Sequence, residues 1–545
     1  MDIKHCEKRL SSLKTEFSGW RSHFEEISRY IQPRSGRFNA QKSKGEKKYN
    51  DIVDSTATRA LRTLAAGMQA GMSSQSRQWY RLETRDQFLN DNADVKSWLY
   101  TVQMRMNHVF SQSNFYKSLH MSYGELGAFG TAAILLMEDE EDVIRCYPLT
   151  IGEFYIAVNG RGKVDTLYRE FEMTIHELAT SFGEENLSRA SKRLYEKGSL
   201  DEKVKVIHGI EPRRDYNPKK KDSKNKPFAS VYFEEGQKTF LRESGFDEFP
   251  ALVPRWDVMG GDAYGRSPGM EALGDVKQLQ HEQYRKAEAI DKQTRPPLTA
   301  PVELKTTGLK NIPSGVSYVS NPQASVKAAY EVNLNLNYLL EDIRDVRQRI
   351  DETFYKDLFQ MISMTDRRQI TAREIDERHE EKLLMLGPVL ENLNTELLDA
   401  AIERTYSIMD RKGLIPEPPD QLQGIPLKVE YVSMLAQAQK AAGIGAIDRL
   451  MMTVGNAAQL NPDTVDKFDF DEMIDQTAEM LGVNPNLVVS DEHVKVIREQ
   501  RAKAAQAAAQ QEQMNQAAQT AKTTSEIDTE GENGLTNIMR QFTQP

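Results

Sequence analysis

Two cysteines in 545 residues, Cys6 and Cys146, leave no material for a disulfide framework or a thiolate metal cluster, and they fit a reducing compartment. No apolar run reaches the roughly 18 residues of a membrane span. The best, Gly127 to Met137, stops at the acidic run Glu138 to Asp142 and reads as a buried strand or a core helix. The opening Met1-Asp2-Ile3-Lys4-His5 lacks the apolar stretch of a secretory signal, so neither membrane nor export is expected. Catalytic signatures are missing as well. There is no G-x-x-x-x-G-K-[ST] to cradle a nucleotide phosphate and no G-x-S-x-G. His176-Glu177 and His281-Glu282 have no second histidine four positions on, which removes the zinc-protease pattern, and nine scattered histidines add nothing. The acidic group Asp466, Asp469, Asp471, Glu472 and Asp475 lacks the central glycine of a calcium loop and reads as a helix start or solvated face. Asp257 and Asp262 are the remaining pair that could hold a metal, against ordinary turn and capping duties. No cofactor is expected.

What is present is charge and pattern. With 81 acidic against 71 basic side chains, the net charge of −10 excludes a protein that grips nucleic acid over its whole surface, because such affinity comes from neutralised phosphates. Contact at a few basic points stays open. Two lysine clusters stand out: Lys42, Lys44, Lys47 and Lys48, and the run Lys219, Lys220, Lys221, Lys224 and Lys226. Both sit among Gly, Ser, Asn and Pro and read as solvated loops. The length predicts two to four domains.

Residues 2–31 give the cleanest helix. Ile3, Cys6, Leu10, Leu13, Phe17, Trp20, Phe24, Ile27 and Ile31 recur at steps of three and four until Pro33 ends the run. Burying that stripe contributes on the order of 15 kcal/mol before entropy, so the helix must lie on something. A second helix is expected from about Asp51 to Met72, where Ala65, Ala66, Gly67, Ala70 and Gly71 permit close backbone approach. A third runs from about Asp94 to Phe110. The pattern then becomes strand-like, at Ala133–Met137 and Val143–Tyr147. A hairpin follows, Phe154–Val158 and Val164–Phe171, turning on Asn159-Gly160-Arg161-Gly162. Val204–Ile210 and Ala229–Phe233 add antiparallel strands joined by the lysine-rich loop. Helix returns at about Gly269–Thr294, stops at Arg295-Pro296-Pro297, and gives way to an insert, 296–332, of short strands. The fold class is α+β, mainly helical.

Next comes the most informative arrangement. Leu336, Leu339, Ile343, Val346, Ile350, Phe354 and Leu358 mark one helix over 334–360. Thr371-Ala372-Arg373-Glu374 is a capping box opening another, interrupted at Gly387-Pro388 and continuing to Gly413, which is placed as a C′ residue ahead of Pro416. Between them lies a short basic turn, 361–370, with Thr365, Asp366, Arg367, Arg368 and Gln369 at its tip. Two packed helices present that turn outward, and the arginines point to a phosphate backbone; the alternative is an ordinary helix–loop–helix with a solvated tip. Beyond Tyr431 the chain reads as short helices, then an Ala/Gln-rich segment 501–523 and a polar end.

Several stretches, in order over about residues 20–415, together resemble the portal protein, or head-to-tail connector, of short-tailed (podovirus) bacteriophages. They are Tyr30-Ile31-Gln32-Pro33-Arg34-Ser35-Gly36-Arg37-Phe38, Thr63 to Met72 with Trp79-Tyr80-Arg81-Leu82, Tyr123 to Thr131, Tyr264-Gly265-Arg266-Ser267-Pro268-Gly269, Arg295-Pro296-Pro297-Leu298 and Thr371-Ala372-Arg373-Glu374-Ile375.

The resemblance implies a portal fold: wing 1–267, stem helices 268–295 and 333–360, clip 296–332, a channel (tunnel) loop 361–370, a wing return helix 371–429, a crown 430–523 and a disordered tail 524–545. It implies a twelve-fold ring at one capsid vertex around a channel for double-stranded DNA. Thr365, Asp366, Arg367, Arg368 and Gln369 would face the DNA, with Lys292, Arg295, Lys305 and Lys310 as basic contacts of stem and clip. Further implied partners are the major capsid protein, a scaffolding protein, the terminase large subunit and a tail adaptor or tail tube protein. No catalytic residue is implied. The competing readings are another ring-forming virion adaptor and, more remotely, a metal-dependent nuclease using Asp257 and Asp262.

Overall fold

The computed structural model describes residues 2–38, 51–90, 92–217, 219–220, 222–302, 316–320, 326–328, 337–364, 386–422, 427–432, 450–456, 467, 469–474, 489 and 491–525. The chain divides into two compact units, Met1–Gln439 and Lys440–Pro545.

In the first unit, α1 (Ile3–Tyr30) buries Ile3, Cys6, Leu10, Leu13, Phe17, Phe24 and Ile27, the apolar stripe of its sequence. Helix α2 begins at Thr56 and ends at Met72. The expected start at Asp51 fails because Asp54 is taken up as an acceptor, its Oδ1 receiving Thr56 N at 2.9 Å and Thr56 Oγ1 at 2.6 Å. After β1 (Tyr80–Thr84) and the short α3 (Gln87–Asn90) come α4 (Ala93–Gln112) and α5 (Phe115–Phe129). The apolar run Gly127 to Met137 is therefore neither one strand nor one helix. Gly130 caps α5 at φ 73°, and β2 (Ala133–Glu138) starts three residues later.

Strands β2, β3 (Ile144–Leu149) and β9 (Ala251–Leu252) form a three-stranded sheet in the order β3-β2-β9. A five-stranded antiparallel sheet holds β4 (Phe154–Val158), β5 (Val164–Thr174), β6 (Lys203–Pro212), β7 (Phe228–Glu234) and β8 (Phe240–Phe246) in sequence order. The Asn159 turn closes its first hairpin as expected, with Asn159 Oδ1 accepting from Arg161 N at 2.9 Å. Two helices that the sequence pattern had not marked, α6 (Ile175–Phe182) and α7 (Arg189–Glu196), cover one end of this sheet over a small cluster of Ile175, Leu178, Leu187, Val206 and Leu241. Eight-residue helices offer too few turns for periodicity to declare itself.

Helix α8 (Pro268–Thr294) leads to β10 (Leu298–Pro301), which pairs parallel with β11 (Val316–Val319) and antiparallel with β12 (Lys327–Ala328). Then come α9 (Asn337–Thr353) and α10 (Lys356–Met364). Residues 386–393 are helical, and whether the chain is interrupted just before Gly387-Pro388 lies outside the described residues. A π-turn, Asn394–Asp399, follows before α11 (Ala400–Arg411). That helix ends as predicted: Gly413, at φ 66°, donates to Asp410 O at 2.9 Å, and Leu414 N donates to Met409 O at 2.9 Å. Strand β13 (Leu427–Tyr431) then pairs antiparallel with β1, Tyr431 against Tyr80. The capping box at Thr371 lies outside the described residues.

In the second unit Asp469 Oδ1 accepts from Asp471 N and Glu472 N, both at 3.1 Å, so part of the acidic group is a helix start. The Ala/Gln-rich segment lies within α12 (Asp491–Ser525), which carries an exposed Val496 and Met514.

Candidate functional site

The site is the pair α8–α9 with the segment that follows it, and its geometry begins at the root of α8. Ser267 caps the helix, accepting from Met270 N at 3.1 Å while donating to Ala128 O at 2.7 Å, and Pro268 occupies the first turn, where no N–H is needed. Gly130, Gly265 and Gly269 meet here. A Cβ on Gly130 would stand 2.4 Å from Gly265 O, and one on Gly269 would stand 2.5 Å from Ala128 O. Two motifs far apart in sequence, Tyr123–Thr131 and Tyr264–Gly269, thus form one joint that roots α8 in the core.

Beyond this joint α8 buries Ala272, Leu273, Val276, Leu279 and Gln280, and α9 answers with Ile343, Val346 and Ile350. A polar node ties the pair to α2. Asp54 Oδ2 accepts from Arg347 Nη2 at 2.6 Å and from Gln283 Nε2 at 2.9 Å. Gln280 Oε1 accepts Val53 N at 2.7 Å and Asp54 N at 2.8 Å, and its Nε2 donates to Asp54 O at 3.0 Å. Burial works against the ionised Asp54, but the hydrogen bonds from Thr56 and Arg347 outweigh it and hold its pKa below the ordinary carboxylate value. The trace of this node in the sequence is Gln280, a polar side chain among the buried positions of α8.

The expected single helix over 334–360 is broken. Tyr355 adopts φ 53°, so α10 starts afresh at Lys356, whose ammonium pairs with Asp351 across the break. A tyrosine in this region costs about 1–2 kcal/mol, and nothing in its residue type announces it. Helix α10 leaves the line of α9 and settles on α2. Leu358 and Phe359 are buried, and the Phe359 ring lies flush on Gly67, where a Cβ would approach to 2.3 Å. The small residues of α2 permit the approach that their sequence promised.

Helix α10 ends at Met364. Thr365, Asp366, Arg367, Arg368 and Gln369 lie outside the described residues, as do Lys305 and Lys310. Lys292 and Arg295 are in view at the end of α8, both exposed. Lys292 sits in the last turn, where a cation suits the helix dipole, and Arg295 N donates to Asp291 O at 2.8 Å.

Asp257 and Asp262 take part in the local turn through their main-chain groups. Asp257 O accepts Arg266 N at 2.7 Å, Asp262 N donates to Met259 O at 3.2 Å, and Asp262 O receives Arg255 Nη1 at 3.3 Å. Among the described residues no three His, Cys, Asp or Glu side chains converge as a metal site. Arg255 chiefly holds the π-turn, its backbone N and Nε reaching Glu396 at 3.0 and 3.2 Å. Arg404, pulled down to about 10 by burial, donates to Leu136 O at 2.7 Å and fastens α11 to β2.

A sequence profile of the family "Bacteriophage head to tail connecting protein" matches residues 3–488. The "Probable portal protein" of Bordetella phage BPP-1 is 48% identical over 539 residues, covering 98% of this chain and 97% of the relative. The "Portal protein" of Salmonella phage epsilon15 is 47% identical over 537 residues, covering 97% of each. Two solved assemblies overlap more loosely. A chain of the "Virion of native gene transfer agent (GTA) particle" gives a TM-score of 0.37 at 12% identity, over 79% of this chain and 90% of the other. A chain of the "Neck of empty GTA particle computed with C6 symmetry" gives 0.38 at 11%, over 79% and 91%. The family match and the two phage relatives run through the joint, the stem pair and the segment after them, and on that ground this α+β, mainly helical chain belongs to the bacteriophage head-to-tail connecting, or portal, protein family.

Proposed function

We propose that this phage portal protein works as a ring of twelve copies at one capsid vertex, with a central channel through which double-stranded DNA is packaged and later ejected. The observation that carries the reading is the distal half of the α8–α9 pair. Tyr284 and Tyr338 are 55% and 76% exposed and Ile290 42%, on helices whose other ends are locked into the core. Apolar side chains left in water on a rigid projection call for a protein partner, and neighbouring copies in a closed ring supply one to every subunit alike. The same pair serves as the stem, with 296–332 as the clip, 1–267 as the wing, 371–429 as its return, 430–523 as the crown and 524–545 as a tail.

The channel loop is the segment expected at 361–370, of which residues 361–364 continue α10 as helix and the basic residues follow. A conduit must let DNA slide, so its wall repels the phosphates overall and touches them at few points. Twelve copies of Arg367 and Arg368 make such points, and Lys292, Arg295, Lys305 and Lys310 add basic contacts nearer the clip. The clip docks the terminase large subunit during packaging and a tail adaptor or tail tube protein afterwards. The wing meets the major capsid and scaffolding proteins, assembly takes place in the bacterial cytoplasm, and the mature ring is part of the virion. The ring itself performs no reaction; the packaging ATPase supplies the work.

Negative-stain images of the purified protein should show rings with a central hole. A protein that stays monomeric at high concentration and with scaffold present refutes the reading. Replacing Arg367 and Arg368 by Ala should leave rings intact and alter packaging or genome retention. Unchanged genome content in mutant particles removes the loop from the DNA path. Capture of the terminase large subunit separates a portal from a ring adaptor that lacks a motor dock.

A further inference from the structure

The connection between β6 and β7, residues 213–226, reads in sequence as a solvated lysine loop, yet its described residues, 213–217, 219–220 and 222–226, are tied together. Asn225 Oδ1 accepts Asn217 N at 3.1 Å, and Asn225 Nδ2 reaches Lys220 O at 3.0 Å and also Asn217 O. Asn217 Oδ1 takes Lys219 N at 3.1 Å, and Arg213 N donates to Pro227 O at 2.7 Å. Backbone and asparagine groups do all this holding, so the cationic heads are left over.

At the feet of the loop the cations are neutralised in place, Arg213 by Glu243 at 3.5 Å and Lys226 by Asp247 at 2.5 Å. At the tip they are not. Arg214, Lys219, Lys220 and Lys224 are exposed, none has a carboxylate partner among the described residues, and they outnumber the loop's two aspartates, Asp215 and Asp222. In a chain with an excess of acid, four exposed cations with no carboxylate partner among the described residues, flanked by fixed asparagine contacts, mark a surface with a polyanionic partner. Three of the four are ammonium groups, point charges that suit phosphates met in any register. The sheet that carries the tip is joined to the stem through α1, which meets β4 at Phe17 against Tyr155 and α8 at Glu26 with Lys277, 2.7 Å.

We propose that Arg214, Lys219, Lys220 and Lys224 form a docking site for the phosphate backbone of double-stranded DNA outside the channel. The proposal rests on the reading that the ring handles duplex DNA. Each tip makes only a few contacts, and a ring of copies multiplies them into useful avidity while each stays quick to release.

The test uses the full-length assembled protein with covalently closed circular duplex DNA, which cannot be threaded through a ring. The wild type should bind the circle at low salt, with affinity falling steeply as salt rises. Lys219→Glu/Lys220→Glu/Lys224→Glu should weaken that binding by at least about tenfold and flatten the salt dependence, since every phosphate that is no longer neutralised takes about 0.9 from the logarithmic slope. The neutral triple Gln variant should fall between. Ring images of each variant control for assembly. Failure of the wild type to bind the circle, or equal binding by wild type and both variants, overturns the proposal. So does poly-L-glutamate binding more tightly than the circle at the same lysines, which would assign the tip to an acidic protein. Absence of rings in wild-type images would sink the channel reading separately, while circle binding would still report on the tip.

Discussion

A carboxyl group enclosed by protein, with donors around it but no cation, ionises reluctantly, and Glu125 on α5 is in that position. Burial raises its pKa to about 7, although hydrogen bonds from Ser35, Ile151 N and Thr150 Oγ1 favour the charged form, Thr150 at 3.1 Å. The folded value lies above the unfolded 4.5, so the charge penalty is absent in acid and grows as pH rises through that interval. Above neutral pH it reaches roughly 3 kcal/mol. Glu125→Gln should therefore leave the melting temperature at pH 5 nearly unchanged and raise it at pH 8; equal shifts at both would mean the carboxylate is not the source. Gly67 gives a second prediction at this scale. Its missing Cβ is occupied by the Phe359 ring, so Gly67→Ala should destabilise by about 1–3 kcal/mol through overpacking, despite alanine's better helix propensity. Gly274 on α8 has open space where a Cβ would go, and Gly274→Ala should stabilise by about 0.5–1 kcal/mol. Thermal melts of the two variants should move in opposite directions.

Among the elements, α2 has the most connections of consequence: Gly127 of α5 accommodates Leu61 and Leu64 on one side, Phe359 of α10 covers Gly67 on another, and Asp54 at its head receives Arg347. Replacing Arg347 by Met removes a partner that is itself half in water from a carboxylate that Thr56 and Gln283 still hold. The loss should be about 1–2 kcal/mol, below that of a fully enclosed pair. Hydrogen exchange should quicken first at the start of α2 and along α9; exchange unchanged there would deny the node its role. Helices α1, α4 and α8 were legible because an apolar stripe repeats often enough to be unmistakable, whereas the 35-residue α12, which has no such stripe, and the 15-residue α5 were not read as helices. The breaks were not legible either. Tyr355 is a residue that rarely takes positive φ, and the π-turn at Asn394 is imposed by Arg255 reaching Glu396, a contact between segments 141 positions apart. Local chemistry predicts local outcomes, and neither of these breaks is written in the residue type where it occurs.

For the whole molecule, the fold class and the family were readable from ordered short motifs, and the structure gives the physical reason for two of them: the glycines of Tyr123–Thr131 and Tyr264–Gly269 pack against each other. The polar node at Asp54 was not readable, since no spacing rule links residues 54, 280, 283 and 347. The lysine tip was visible as composition, but its order comes from Asn217 and Asn225 bonding across the loop, which composition does not disclose. The pairing of β1 with β13 has a consequence for how such a chain is made. Tyr80–Thr84 emerges from the ribosome early, but Leu427–Tyr431, to which it zips, arrives roughly 350 residues later, a span whose closure entropy must be met before the pair forms. Throughout synthesis of everything between, that first ribbon waits with its hydrogen-bonding edge open, in a cell filling with identical nascent chains. Yield of soluble protein should thus depend on how fast translation reaches the closing strand, and on chaperones that shield the waiting one.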